Sequence, residues 1–259
     1  MFVDSHCHLQ LLDYEKFGMT TKEVVDKAWA ANVQYILSVA TTFVDTIELY
    51  QLSEQFEKVL ISVGLHPLEE MLLEPTVHDY LHAANHPKVI AIGETGLDCY
   101  RVSHENMGVQ HQRFINQINA ARECGKPLIV HTRQAKQETI EMLTKHKAHE
   151  VGGVLHCFTE DYEMASMAID LGFYISFSGI VTFKNALALQ EVVKKIPLEH
   201  MLIETDSPYL APAPMRGQQN QPAYVEHVAR GIAQLKEVSV ETVAQITTSN
   251  FAKLFKFKV

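Results

Sequence analysis

Residues 89–131 read VIAIGETGLDCYRVSHENMGVQHQRFINQINAARECGKPLIVH. Two short apolar runs, VIAIGE (89–94) and PLIVH (127–131), enclose a segment in which Phe114, Ile118 and Ala121 recur at helical spacing. Short Ile/Val-rich runs suit strands buried on both faces, and apolar residues at i, i+4 and i+7 line one face of a helix. The stretch is therefore a strand–helix–strand unit. Each of its strands closes on a residue that can bind a proton or a cation, Glu94 in the first and His131 in the second.

Working outward, six more runs share this character: FVDSH (2–6), QYILSVA (34–40), VLISVG (59–64), GVLHCF (153–158), FYISFS (173–178) and MLIETD (201–206). Helical patterns lie between and after them. Met164, Met167, Ala168 and Leu171 share one face, as do Val225, Val228, Ile232 and Leu235 behind Pro222. Ser239 opens a last helix with a near-match to a capping box. Alternating strands and helices with right-handed crossovers give either an open doubly wound sheet or a closed (β/α)8 barrel. Eight strands in 259 residues favour the barrel, so the expectation is an α/β, TIM-barrel-like single domain over residues 1–259. The polar, Pro-rich loop APAPMRGQQNQPAY (211–224) then falls on the face where such barrels carry out catalysis.

The chain has 22 Lys and Arg against 31 Asp and Glu, a formal net charge of −9. That argues against coating duplex DNA, whose nonspecific affinity comes from phosphate neutralisation by cationic side chains. It leaves room for a local grip on a few phosphates. Cys7, Cys99, Cys124 and Cys157 form no CxxC pair, no apolar run reaches membrane-spanning length, and the start lacks a leader pattern. The expectation is a cytoplasmic protein with reduced thiols, no membrane association and no obligate protein partner. Cys7 and Cys157 adjoin candidate ligands but, as strand neighbours, should point to the opposite face.

The strand ends carry the chemistry. His6 and His8 sit at i and i+2, on one face of the first strand. Glu94 ends the fourth, His131 the fifth, His156 the sixth and Asp206 the eighth. Barrel enzymes build their sites from the C-terminal ends of different strands, so these six residues should line one pocket. Neutral imidazole and carboxylate are both divalent-metal ligands.

The motifs DSHCHL (4–9), GLHP (64–67), GETGLD (93–98), HTR (131–133), GGVLHCFT (152–159), GFYISFSG (172–179), ETDSPYLAP (204–212) and NFAKLF (250–255) span essentially the whole chain. Together they resemble the TatD family of metal-dependent deoxyribonucleases, among the amidohydrolase-like barrels. The resemblance implies two divalent metal ions per subunit. His6, His8 and Asp206 would surround one, His131 and His156 the other, and Glu94 would bridge them. It points to Mg²⁺, whereas four imidazoles also suit Zn²⁺ or Mn²⁺. The implied activity is hydrolysis of DNA phosphodiester bonds, as a 3'-5' exodeoxyribonuclease on single-stranded ends by two-metal activation of water. An ester or amide hydrolase of the same barrel, such as an aminoacyl-tRNA deacylase or a small-metabolite hydrolase, is the alternative. A noncatalytic metal-holding module is the third reading.

Around this set, Asp206 is expected to orient or deprotonate the attacking water as well as bind metal. Glu204, two residues earlier, is either an auxiliary catalytic group or half of a structural ion pair. His66, Arg133, Arg101 and Arg216 are candidate substrate contacts, and Asp98 is a candidate for orienting a metal-bound His. Cys99, Gln134 and Gln218 depart from the family pattern, where an aromatic, an acidic and a basic residue are usual.

Overall fold

The computed structural model describes residues 1–100 and 107–257. In chain order its strands are β1 (Phe2–Cys7), β2 (Val33–Ser38), β3 (Val59–Val63), β4 (Val89–Asp98), β5 (Leu128–Arg133), β6 (Gly153–Leu155), β7 (Phe173–Phe177) and β8 (Met201–Ile203). The helices are α1 (Tyr14–Phe17), α2 (Thr21–Ala30), α3 (Asp45–Gln55), α4 (Val77–Ala83) and α5 (Gly108–Cys124). They continue with α6 (Lys136–Lys145), α7 (Tyr162–Asp170), α8 (Leu187–Lys195), α9 (Val225–Lys236) and α10 (Val240–Leu254). The strands form one eight-stranded sheet in the order β1 to β8. Strand order and helix alternation are those of the (β/α)8 fold, as expected.

The chain clusters into two compact units. The first comprises Met1–Ser38, Cys157–Ala165 and Ile175–Val259. In it β1 pairs in parallel with β2, and β7 with β8. Helices α9 and α10 pack on β1 and β8. The buried face of α9 carries Val225, Val228 and Ile232, while Leu235 is half-buried. Asn250 on α10 donates to Leu198 O and Met201 O at 2.7 and 2.8 Å, which anchors the start of β8. Ser239 Oγ accepts Thr242 N–H at 3.0 Å and caps α10 as its sequence suggests.

The second unit comprises Val39–His156 and Ser166–Tyr174. Here β3, β4, β5 and β6 pair in parallel in succession. Phe114, Ile118 and Ala121 on α5 are fully buried, each large side chain contributing about 1.5–3 kcal/mol by leaving water. Two glycines let backbones approach closely. A Cβ on Gly64 would lie 2.1 Å from the Gly93 carbonyl carbon, and one on Gly96 would lie 2.0 Å from His131 O.

Several strand ends differ from the sequence reading. Strand β4 does not end at Glu94 but runs on to Asp98, with a register irregularity between Ile92 and Thr95. Beyond it, Gly96 to Asp98 pair with His131 to Arg133, which lengthens β5 as well. Strands β6 and β8 stop short, at Leu155 and Ile203. The backbone then turns left-handed at Cys157 (φ 43°) and Asp206 (φ 55°), a conformation incompatible with an extended strand. His156 and Asp206 therefore sit just past strand ends, and Cys157 is a turn residue rather than a strand neighbour of His156. Cys7 does lie buried in β1.

Candidate functional site

In the first unit, β1 delivers His6 and the residue after its end, His8; both rings are buried. Their Nε2 atoms lie 3.3 Å apart, and Asp206 Oδ1 is 3.7 Å from His6 Nε2 and 3.5 Å from His8 Nε2. Two nitrogens each about 2.0–2.1 Å from a tetrahedral cation stand about 3.3–3.4 Å apart. The three donor atoms thus have the spacing of a ligand set.

Asp206 is held there by its neighbours. Its N–H donates to His6 O at 2.9 Å. Thr205 donates N–H and Oγ1–H to the Asp4 carboxylate at 2.8 and 2.6 Å, and its carbonyl accepts from Asn220 Nδ2 at 2.8 Å. Burial pushes the Asp4 carboxyl well above its usual range, the nearby Glu204 adds to that, and the Thr205 bonds oppose it. Glu204 is fully buried, and its Oε1 accepts Cys157 N–H at 2.7 Å. It thereby restrains the turn that follows His156. The ring of Tyr209 meets that of His8 edge-on at 6.4 Å.

In the second unit, Glu94 Oε1 is the common point. His156 Nε2 lies 2.9 Å from it, His131 Nδ1 3.3 Å and His66 Nε2 3.5 Å. Burial by itself would raise the Glu94 carboxyl, but the charges of His156 and His66 and the bonds from His131 and His156 hold it well below its usual range. His131 is desolvated, which disfavours its charge, yet its bonds to Asp98 and Glu94 raise its pKa. Asp98 Oδ2 lies 3.1 Å from His131 Nε2. When Nδ1 gives up its proton, Asp98 still accepts from Nε2–H and the Nδ1 lone pair is left for a cation on the Glu94 side, the arrangement by which carboxylates orient metal-binding imidazoles.

His66, Glu94 and His131 also lie close enough together to hold an ion. The tautomer of His66 argues otherwise. Its Nδ1 accepts Leu68 N–H at 3.2 Å, so the neutral ring carries its proton on Nε2 and is a donor rather than a ligand.

The arginines fall into two kinds. Arg133 is exposed with its guanidinium 3.8 Å over the Tyr100 ring, and Arg216 is exposed with its guanidinium 3.7 Å over the Phe183 ring. Arg101 lies outside the described residues. Arg113, which sequence reasoning missed, is buried. It grips Glu74 through Nε and Nη2 at 2.9 and 2.5 Å and donates from Nη1 to His66 O and Pro67 O at 2.7 and 3.2 Å. Gln110 and Gln117 were missed too. The available signal was three polar residues at i, i+3 and i+7 on the same helix face as Phe114. Asp4 had a signal as well, standing two residues before His6 on the same strand.

A (β/α)8 strand order with histidines and carboxylates at or just past strand ends has the donor chemistry a metal-dependent hydrolase requires. The family model described as TatD related DNase matches residues 3–256. The uncharacterized metal-dependent hydrolase YcfH of Escherichia coli K12 is 49% identical over 254 residues, 98% of this chain and 95% of that protein. A Salmonella typhimurium protein named 3'-5' ssDNA/RNA exonuclease TatD is 31% identical over 251 residues, 95% of this chain and 96% of that one. The crystal structure of YjjV, a TatD homologue from Escherichia coli K12, aligns with a TM-score of 0.90 at 26% identity, covering 99% and 98% of the two chains. The chain belongs to the TatD family of metal-dependent hydrolases. No helix among the described residues is long and apolar enough to cross a membrane.

Proposed function

We propose that this chain is a two-metal exonuclease that releases nucleotides from the 3' ends of single-stranded DNA in the cytoplasm, and that its two compact units are halves of one catalytic domain over residues 1–259. The observation that carries the reading is the prepared donor chemistry. Asp98 fixes His131 with Nδ1 toward Glu94 Oε1, and His6, His8 and Asp206 converge at ligand spacing. His6, His8 and Asp206 would hold one divalent ion and His131 and His156 the other, with Glu94 between them. Both sets sit at or just past the ends of parallel strands of one sheet. The TatD exonuclease of Salmonella typhimurium supports the substrate class.

When bound, such a pair of Mg²⁺, Mn²⁺ or Zn²⁺ ions supplies Lewis acidity at the phosphodiester and a water nucleophile at neutral pH. The chain's own residues do the rest. Asp206 orients the attacking water and accepts its proton. His66 donates Nε2–H to a phosphoryl oxygen. Glu94, its carboxyl held low by imidazoles, stays ionised across the physiological range. Glu204 accepts the Cys157 N–H beside His156 and acts as an auxiliary acid/base group, a role an amide cannot fill. Arg133 and Arg216, each braced on an aromatic ring, offer guanidinium forks to phosphates and flat faces to bases.

The test is turnover on 3'- and 5'-labelled single-stranded DNA, duplex DNA, RNA and aminoacyl esters, with metal supplied and with chelator. Nucleotide release from 3' ends that stops with chelator and returns with metal is expected. Asp206→Asn should lower turnover by about 10²–10⁴, the range for loss of a general base, and should lower metal content too. Glu204→Gln should lower turnover with the metal retained. Intact DNA beside cleaved aminoacyl esters would transfer the assignment to the ester-hydrolase alternative.

A further inference from the structure

We propose that Gln110 is a positioning residue of the metal site, holding the Asp98 backbone so that Asp98 keeps His131 in its ligating tautomer. Beyond Ile92, which pairs with the last residue of β3, strand β4 continues toward its end at Asp98. At Asp98, Gln110 of α5 takes the part of a neighbouring strand. Its Oε1 accepts Asp98 N–H at 2.9 Å and its Nε2 donates to Asp98 O at 3.2 Å. The other edge of this strand end is paired with Arg133 of β5, so the Asp98 main chain is held from both sides.

That grip fixes where the carboxylate points. Asp98 Oδ1 accepts Tyr100 N–H at 2.9 Å, and Oδ2 reaches His131 Nε2 at 3.1 Å. An imidazole whose Nε2–H has a rigid acceptor presents Nδ1 as the lone pair. One whose acceptor drifts divides between tautomers and ring orientations. The chain of influence therefore runs from α5 through a main-chain segment and one carboxylate to a ligand atom.

Gln117, two turns along the same helix, provides a matched comparison. It makes the same two-bond clamp, on Leu65 N–H and Leu65 O at 3.1 and 3.0 Å, and is equally buried. Among the described residues it makes no hydrogen bond to Asp98 or His131. If the role of Gln110 were merely to satisfy buried backbone groups, the two glutamines would be equivalent.

The inference rests on the reading of His131 as a metal ligand, and the experiment separates the two. The chelator-stripped full chain is titrated calorimetrically with Mn²⁺ as wild type, Gln110→Met, Gln117→Met and His131→Ala. Gln110→Met should weaken one Mn²⁺ site by about 10–100-fold, the usual effect of losing a second-sphere partner. Gln117→Met should shift neither site by more than about threefold. Equal weakening by both methionine variants, or a Gln110→Met affinity matching wild type, would overturn the inference. Should Gln110→Met not fold, Gln110→Glu keeps the acceptor, loses the donor, and is read against Gln117→Glu by the same criterion. If His131→Ala loses an ion while Gln110→Met does not, only the positioning role fails. If His131→Ala binds both ions like wild type, the ligand reading and this inference fail together.

Discussion

Asp4 is a fully buried carboxylate in β1 whose two oxygens take the N–H and the hydroxyl of Thr205. Thr205 stands between Glu204 and Asp206, so this one side chain ties the first strand to the segment that presents a candidate ligand. Removing it leaves the buried Thr205 N–H without its acceptor, while the hydroxyl keeps Ser207 Oγ at 3.1 Å. Asp4→Ala should cost about 1–3 kcal/mol, the range for one abandoned buried hydrogen-bonding group. Urea unfolding of the metal-free protein measures this directly. A loss under about 0.5 kcal/mol, the size of an ordinary surface substitution, would show that Thr205 finds other acceptors. Gln110, Arg113 and Asn220 work the same way, through backbone groups near the candidate ligands rather than through the ligands themselves.

At the scale of elements, two helices share one N-terminal device and a third has a related one. Thr20 with Glu23 and Thr76 with Asp79 form reciprocal capping boxes ahead of α2 and α4. In α3 the first residue, Asp45, accepts from the N–H and hydroxyl groups of both Thr41 and Thr42, at 2.6 to 3.0 Å, while Thr42 Oγ1 accepts Asp45 N–H at 3.1 Å. Partial burial would raise the Asp45 carboxyl, but the four bonds outweigh it and hold the pKa below the usual range. A carboxyl depressed in the folded state stabilises above its unfolded pKa of about 3.9 and loses that contribution as pH falls through the folded value. Asp45→Asn should therefore lower stability by about 0.5–2 kcal/mol at pH 7, the range for a lost cap. The gap to wild type should narrow below pH 4. Denaturant midpoints of both proteins between pH 7 and pH 3 test this, and a gap that widens on acidification would rule the account out.

For the whole molecule, the net charge of −9 limits how a DNA strand can be held. If Arg133 and Arg216 are the principal phosphate contacts, affinity for single-stranded DNA should depend weakly on salt. Two contacts at about −0.7 each give a log–log slope near −1.4. Binding of a labelled, phosphorothioate-linked strand to the metal-loaded wild-type protein, measured from 50 to 300 mM salt, reads the slope. A value near −5 would mean a long cationic track and a different binding surface.

The sequence by itself determined the number of strands, their alternation with helices and the identity of the candidate ligands. Apolar runs mark strands buried on both faces, and His6, His8, Glu94, His131, His156 and Asp206 stand at or near the ends of such runs. The tertiary structure decided the tautomers, the strand ends and the supports. Asp98 is legible in the sequence as a candidate for orienting a metal-bound His, but that its partner is His131, through Nε2, depends on the register of β4 against β5. The extension of β4 past Glu94 depends on Gly64 and Gly96 admitting neighbouring backbones, and the early ends of β6 and β8 on left-handed turns at Cys157 and Asp206. Local pattern reports which face of an element is apolar. Hydrogen bonds between residues far apart in the chain, such as Asp4 with Thr205 or Gln110 with Asp98, form only when packing has brought their elements together, and they set where each reactive atom points.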